Sequence, residues 1–209
     1  IGDFGHSPST FPGPDLNELV AVDQAWFTRW LVQQPSKPAP AVLVSPDPWR
    51  GKARVFKSLP STRRYKHVFG GTNALTGLGK SVRTGHKLGA PLETFGAGTV
   101  RVTAKVSGGW SRIVAVVTAR TPRGKTIVVS EGGTNTTSLQ GRHTFAILLL
   151  NTATLIPKGS KLTLTLASSS TAQDPGNLLY LDLPMPSSAK VTLGPALLTL
   201  PVLRTPISR

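Results

Sequence analysis

The sequence predicts a mainly β fold, a β-sandwich or jelly roll, preceded by one helix. Three observations support this fold class. The 209 residues include 21 Gly and 18 Pro, a composition that favours turns and short elements. Charged residues make up 16% of the chain, against about 25% in an average globular protein. Apolar and polar residues alternate over many short segments, as in half-buried strands.

One amphipathic helix is predicted over residues 14–34. Asp15 followed by Glu18 resembles a capping box, and Pro14 and Pro35 flank the segment. A wide apolar face recurs at helical spacing: Leu16, Leu19, Val20, Trp26, Phe27, Trp30 and Leu31. Because two Trp and one Phe need a large apolar surface to cover them, we expect this helix to pack on a larger unit.

After a Pro-rich segment at 35–40, interpreted as a linker, the apolar period changes to two. About ten short strands are predicted, separated by Gly- and Pro-containing turns: 42–45, 54–57, 99–106, 112–118, 125–130, 143–150, 161–167, 178–183, 189–193 and 197–203. Residues 70–98 are Gly-rich and weakly patterned, which predicts a long loop. Strands at this spacing indicate a sandwich.

Positive charge is concentrated after residue 47. Residues 1–47 hold five acidic and two basic residues, whereas the remainder holds four acidic and 22 basic residues. This change of sign favours two units of different origin. The acid-free stretch 48–92 interleaves its cations with Trp49, Phe56, Tyr65 and Phe69, which is compatible with nucleic-acid binding or with a solvated basic surface. Without a nucleic-acid-binding motif, the second interpretation is favoured.

The usual catalytic and metal-binding motifs are missing from the sequence. There is no Cys, no Gly-x-Ser-x-Gly elbow and no His-Glu-x-x-His, and the four His share no ligand spacing. Neither a metal nor a cofactor is therefore expected. Residues 77–81 resemble the end of a phosphate loop, but Ala74 stands where that motif needs Gly, so a flexible turn is predicted. His67 and His86 are expected to be solvated, and His143 to be structural.

His6 is the candidate catalytic residue. It follows Gly5 at the end of a short apolar stretch and precedes a Gly-, Pro- and Ser-rich loop and the predicted helix. In α/β-hydrolases the histidine of the catalytic triad occupies such a loop after the last core strand. The local pattern equally fits an ordinary loop histidine beside a glycine turn.

Three segments resemble the C-terminal part of the X-prolyl dipeptidyl-peptidase-like family, which also contains cocaine-esterase-type acyl hydrolases and α-amino-acid ester hydrolases. Residues 1–6 together with Trp-Phe-Thr-Arg-Trp-Leu at 26–31 are similar to the family's histidine loop and following helix. Leu-Ile-Pro-Lys-Gly-Ser-Lys-Leu-Thr-Leu-Thr-Leu-Ala-Ser-Ser-Ser at 155–170 is similar to a strand signature, and Leu-Thr-Leu-Pro-Val-Leu at 198–203 to the closing strand. The family often has two Phe and an Asp where this chain has Trp26-Phe27-Thr28.

The resemblance implies that residues 1–37 are the end of an α/β-hydrolase catalytic domain and residues 38–209 a galactose-binding-like jelly roll. His6 matches the triad histidine by position, and the nucleophilic Ser and triad acid are expected upstream of this sequence. The implied protein is a serine hydrolase acting on a small ester, amide or X-prolyl peptide. The sandwich would shape its substrate pocket and stabilise its catalytic domain, and the fragment alone would be inactive.

The alternative is a non-catalytic β-sandwich module that binds carbohydrate or an anionic partner through its basic face. No apolar run reaches the roughly 18 residues of a membrane span, so no membrane partner is expected. Few Lys and Glu, many Thr and Ser and a sequence pI near 11.2 favour secretion over a cytoplasmic location without identifying the compartment.

Overall fold

The computed structural model describes residues 15–33, 42–46, 49, 51–170 and 181–204, and most of these residues are in strands. The predicted helix-plus-β-sandwich architecture is confirmed. Helix α1 spans Leu16–Trp30. The thirteen strands of the described residues are β1 (Val42–Val44), β2 (Arg54–Phe56), β3 (Thr62–Phe69), β4 (Asn73–Thr76), β5 (Ser81–Lys87), β6 (Leu92–Glu93), β7 (Gly96–Ser107), β8 (Arg112–Arg120), β9 (Thr126–Asn135), β10 (Gly141–Thr152), β11 (Leu155–Ile156), β12 (Lys161–Ala167) and β13 (Lys190–Leu203).

Helix α1 begins after Asp15, where the backbone N–H groups of Glu18 and Leu19 donate to the Asp15 carbonyl. The side chain of Asp15 makes no capping hydrogen bond, so the predicted capping box is wrong in that respect. None of the residues of α1 is buried. Within the described part of the chain, no helix is long and apolar enough to cross a bilayer.

The larger sheet has five antiparallel strands in the order β10-β7-β13-β3, with β4 pairing the other part of β13. Strand β13 is central, since Leu198 pairs with Val100 of β7 on one side and with His67 of β3 on the other. Its register with β7 shifts between Leu193 and Ala196. Gly194 and Pro195 lie in this bulge. Proline has no backbone N–H to donate to the ladder, so within a sheet it is tolerated at such an irregularity.

The smaller sheet has the strand order β5-β12-β8-β9, and two two-stranded pairs, β1-β2 and β6-β11, accompany the sandwich. Buried apolar side chains of both sheets form one cluster, with Val100 and Ile147 contributed by the larger sheet and Val117 and Leu164 by the smaller. Alternation along β7 and β10 places every second residue in this core. The period-two interpretation of these strands is therefore confirmed.

The predicted loop at 70–98 is wrong, because this segment contains β4, β5, β6 and the start of β7. Strand β5 was missed since its inward residues include Ser81 and Arg83, which are polar yet buried. The separate strands predicted at 189–193 and 197–203 are one strand with a bulge. Residues 181–183 of the predicted strand 178–183 are not in a strand, and the rest of that prediction lies outside the described residues.

Candidate functional site

The predicted catalytic residue, His6, lies outside the described residues, as do the loop around it and the linker at 35–40. The assignment of His6 therefore stays a prediction. The described part of the predicted catalytic unit, residues 1–37, is helix α1 with the few residues next to it. The candidate site is accordingly built from α1 and from the polar groups buried in the sandwich.

Helix α1 carries an exposed aromatic cluster near its C-terminus. Trp26 and Phe27 are each 51% exposed and Trp30 is 60% exposed. The rings of Trp26 and Phe27 pack edge to face with centroids 5.2 Å apart, and the guanidinium carbon of Arg29 lies 5.4 Å from the centroid of the Trp30 ring. Exposed aromatic surface of this extent is typical of interaction sites.

A buried ion pair joins the β1-β2 pair to the sandwich. Arg54 of β2 donates a hydrogen bond to the carboxylate of Glu93 in β6, and Glu93 is completely buried. The Arg54 guanidinium also lies 4.8 Å from the centroid of the Phe56 ring. Removing one partner of a buried pair leaves the other charge uncompensated, so this contact holds β2 in place.

Arg83 joins the two sheets at the bulge of β13. Its guanidinium donates to the carbonyl of Gly194 at 2.7 Å and of Leu193 at 3.3 Å, and to the hydroxyl of Ser81 at 3.1 Å. Burial lowers the pKa of Arg83 below its ordinary value. Carbonyl dipoles of the irregular backbone hold this cation, which gives it a structural role.

His67 and His86 form a pair where the edge strands β3 and β5 meet. Their ring centroids are 4.7 Å apart, and the register of β5 against β12 is irregular at residues 85 and 86. A Cβ on Gly85 would lie 2.7 Å from Nε2 of His67, so a larger residue there would displace the His67 ring. The expectation that both histidines are simply solvated is wrong for His67, which is partly buried. Sequence spacing gave no sign of the pair, since 19 positions separate the two residues.

The stability of the sandwich is expected to depend on the protonation of His67. Burial, and secondly the charge of His86, lower the pKa of His67 below its ordinary value of about 6.5. The unfolded chain therefore binds this proton more readily than the folded chain. The stabilisation is complete above about pH 6.5 and is lost as the pH falls through the folded pKa.

Urea unfolding at a series of pH values between about 5 and 8 tests this expectation. The His67→Gln variant should lose less stability on acidification than the unmodified protein. His143→Gln is the matched control, because the His143 ring contacts the Gln140 carbonyl, at 2.8 Å, and the Phe145 ring, and neither is a titratable group. Identical pH dependence of His67→Gln and the unmodified protein would contradict the assigned pKa shift.

The described residues do not assemble a hydrolytic centre of their own. His67, His86 and His143 make no hydrogen bond to a Ser or carboxylate side chain, and no group of three His, Cys, Asp or Glu residues in this part of the chain could hold a metal ion. Residues 77–80 form the turn between β4 and β5, which begins at Ser81, and the Gly79 N–H donates to the Thr76 carbonyl. This agrees with the predicted turn.

The sandwich and its helix match solved structures of hydrolases. A CocE/NonD family hydrolase from Staphylococcus aureus superposes with a TM-score of 0.72, over 90% of this chain and 46% of that chain, at 11% identity. The described chain has the fold of part of a CocE/NonD-type hydrolase. An aminopeptidase from a marine sediment Thaumarchaeota archaeon matches with a TM-score of 0.61, over 95% of this chain and 46% of that chain, at 14% identity.

No protein-family model and no curated protein matches the sequence. The resemblance to this group of hydrolases is thus confirmed as a likeness of fold. The CocE/NonD-type fold of this chain spans less than half the length of both structural relatives.

Proposed function

We propose that this chain is part of a serine hydrolase that cleaves a small ester, amide or X-prolyl peptide. One observation carries the proposal: a chain with the fold of part of a CocE/NonD-type hydrolase has a helix with three aromatic side chains, Trp26, Phe27 and Trp30, that are half or more exposed. Two of the structural relatives are a hydrolase and an aminopeptidase, which supports a hydrolytic role.

Helix α1 would dock on a catalytic α/β-hydrolase domain through Trp26, Phe27 and Trp30. Each of these side chains leaves half or more of its surface exposed. Covering the exposed half contributes about 1 kcal/mol per side chain at the usual value for apolar burial. The strands form their own core without α1, so the helix is available to the second domain.

His6 would act as the general base of the triad. It would take the proton from the hydroxyl of a Ser outside this sequence as the oxygen attacks the substrate carbonyl. The imidazolium would then donate that proton to the leaving group, and an acid also outside this sequence would orient the ring. The sandwich would form one wall of the substrate pocket and stabilise the catalytic domain.

Labelling with a fluorophosphonate probe, which reacts with activated serines, tests the proposal. The 209-residue chain alone should remain unlabelled because it lacks the nucleophile elbow. The longer gene product that contains residues 1–209 should be labelled, and boiling before labelling should abolish the signal. Labelling of the isolated chain, or failure to label the folded longer product, would contradict the assignment.

A further inference from the structure

The outer face of the larger sheet carries a set of basic side chains, and the five strands of this sheet contain no acidic residue. Six exposed cations lie on this surface, here called the basic face: Arg64 and Lys66 of β3, Arg101 and Lys105 of β7, Arg142 of β10 and Lys190 of β13. The register places them on one side, because Leu197 of β13 pairs with both Arg101 and Val68, and Thr199 pairs with Lys66.

The acidic residues of the sandwich do not offset this charge. Glu93 is 0% and Glu131 is 4% exposed, so both carboxylates are inside the fold. Asp182 is the exposed acid among the described residues 51–170 and 181–204, and it lies in the segment before β13. The surface potential over the basic face is therefore strongly positive.

The cations form a diagonal stripe rather than a compact cluster. Arg142 pairs with Lys105 at one end, Arg101 follows four residues along β7, and Lys66 and Arg64 lie two strands away near the other end. At ~3.3 Å per residue and ~4.8 Å per strand, the stripe is roughly 30 Å long. A linear partner with charges along its length matches this shape better than a single small anion.

Hydroxyl groups and small apolar side chains fill the space between the cations. Five threonines share the face: Thr99, Thr103, Thr144, Thr192 and Thr199. The hydroxyls of Thr103 and Thr144 lie 3.2 Å apart. An open concavity of about 180 Å³ lies at the bulge of β13, lined by residues that include Val68, Arg101 and Leu197. Such a surface offers hydrogen bonds and flat apolar contact between its charges.

Aromatic side chains are not part of this face. Tyr65 packs against the core and Phe69 is buried in it, so neither can stack on a nucleic-acid base. Base stacking on aromatic rings is the usual means of binding single-stranded nucleic acids. The threonines and cations instead suit the hydroxyls and anionic groups of a sugar polymer.

We propose that the basic face binds a linear anionic polysaccharide, carrying sulfate or carboxylate groups, along the stripe from Arg142 to Arg64. The proposal does not depend on the serine hydrolase assignment, since it uses side chains of the sandwich alone. Sulfate and carboxylate groups would accept hydrogen bonds from the guanidinium and ammonium groups. The threonine hydroxyls would contact the ring hydroxyls.

Binding of size-fractionated heparin oligosaccharides to the 209-residue chain tests this proposal. The triple variant Arg101→Gln, Lys105→Gln and Arg142→Gln should bind at least about tenfold more weakly. The slope of its log affinity against log salt concentration should be smaller by roughly two to three, because fewer counterions are released on binding. The matched control replaces Arg120, Arg123 and Lys125 by Gln, with the same change of charge at an exposed end of the smaller sheet. That control should retain affinity within about threefold.

The test also varies the length and the charge of the oligosaccharide. Oligosaccharides long enough to span the stripe should bind more tightly than a sulfated disaccharide, and neutral dextran should not bind. Equal weakening of both triple variants would overturn the proposal, because it would show diffuse attraction by net charge. Tighter binding of oligothymidylate or polyglutamate than of heparin at the same salt concentration would overturn it in favour of a nucleic acid or an acidic protein.

Discussion

Replacing His6 by Ala in the serine hydrolase that we propose contains this chain is expected to reduce kcat/KM by about 10³-fold or more. Without the imidazole, no group removes the proton from the attacking serine hydroxyl, and no group protonates the leaving group. Hydrolysis of a chromogenic ester and of an X-prolyl amide measures the loss. Labelling by the fluorophosphonate probe should fall in parallel, since the same base activates the serine.

His143→Ala in the same protein is the matched control for His6→Ala. His143 contacts the carbonyl of Gln140 from strand β10 and has no part in the proposed chemistry, so turnover should stay near that of the unmodified enzyme. Equal thermal unfolding of the two variants would show that the loss is catalytic. Near-normal turnover of a folded His6→Ala enzyme would end the assignment of His6.

Replacing Ile147 by Ala is expected to destabilise the sandwich by about 2–5 kcal/mol, whereas replacing its neighbour Leu148 should change stability by less than about 0.5 kcal/mol. Ile147 is 0% and Leu148 is 67% exposed, although both are in β10. Truncation of Ile147 removes apolar contacts and leaves a cavity between the sheets. Truncation of Leu148 removes a side chain that faces solvent.

Chemical and thermal unfolding of the paired variants measures this difference. The Ile147→Ala variant should unfold roughly 5–15 °C lower for a chain of this size. A comparable loss in Leu148→Ala would mean that the outer face of the larger sheet is covered in solution. That result would also contradict the accessibility on which polysaccharide binding depends.

The sequence predicted the fold best where one apolar period repeats without interruption. Strand β12 was predicted over its full length and β7, β8 and β10 over most of theirs, because inward residues such as Val102 and Leu164 are apolar. Strands β3 and β5 were missed because cations and polar residues alternate with their inward side chains. Arg83 is the clearest example. Its buried guanidinium donates to backbone carbonyls, but from the sequence alone an arginine is predicted to be at the surface.

Of the candidate site, the sequence predicted the parts that depend on local spacing and missed those that depend on contacts between strands. The apolar face of α1 could be read directly from its spacing. Trp26 and Trp30 are half or more exposed, so the expectation that a larger unit covers them stays a prediction. The pairing of His67 with His86 could not be predicted, because it depends on an irregularity in β5 and on the missing side chain of Gly85. Likewise, the basic face emerges only when the register of four strands, β10, β7, β13 and β3, is known.

The position of β13 has a consequence for how the protein is made. This strand lies between β7 and β3, although more than 120 positions of the chain separate β3 from its partner residues. While a ribosome is still translating the segment before Lys190, the nascent chain has β7 and β3 with open edges and no strand to join them. Unpaired edges of this kind invite association between neighbouring chains. Release of residue 203 from the exit tunnel is therefore the event that closes the larger sheet, and a premature stop would leave a product prone to aggregation.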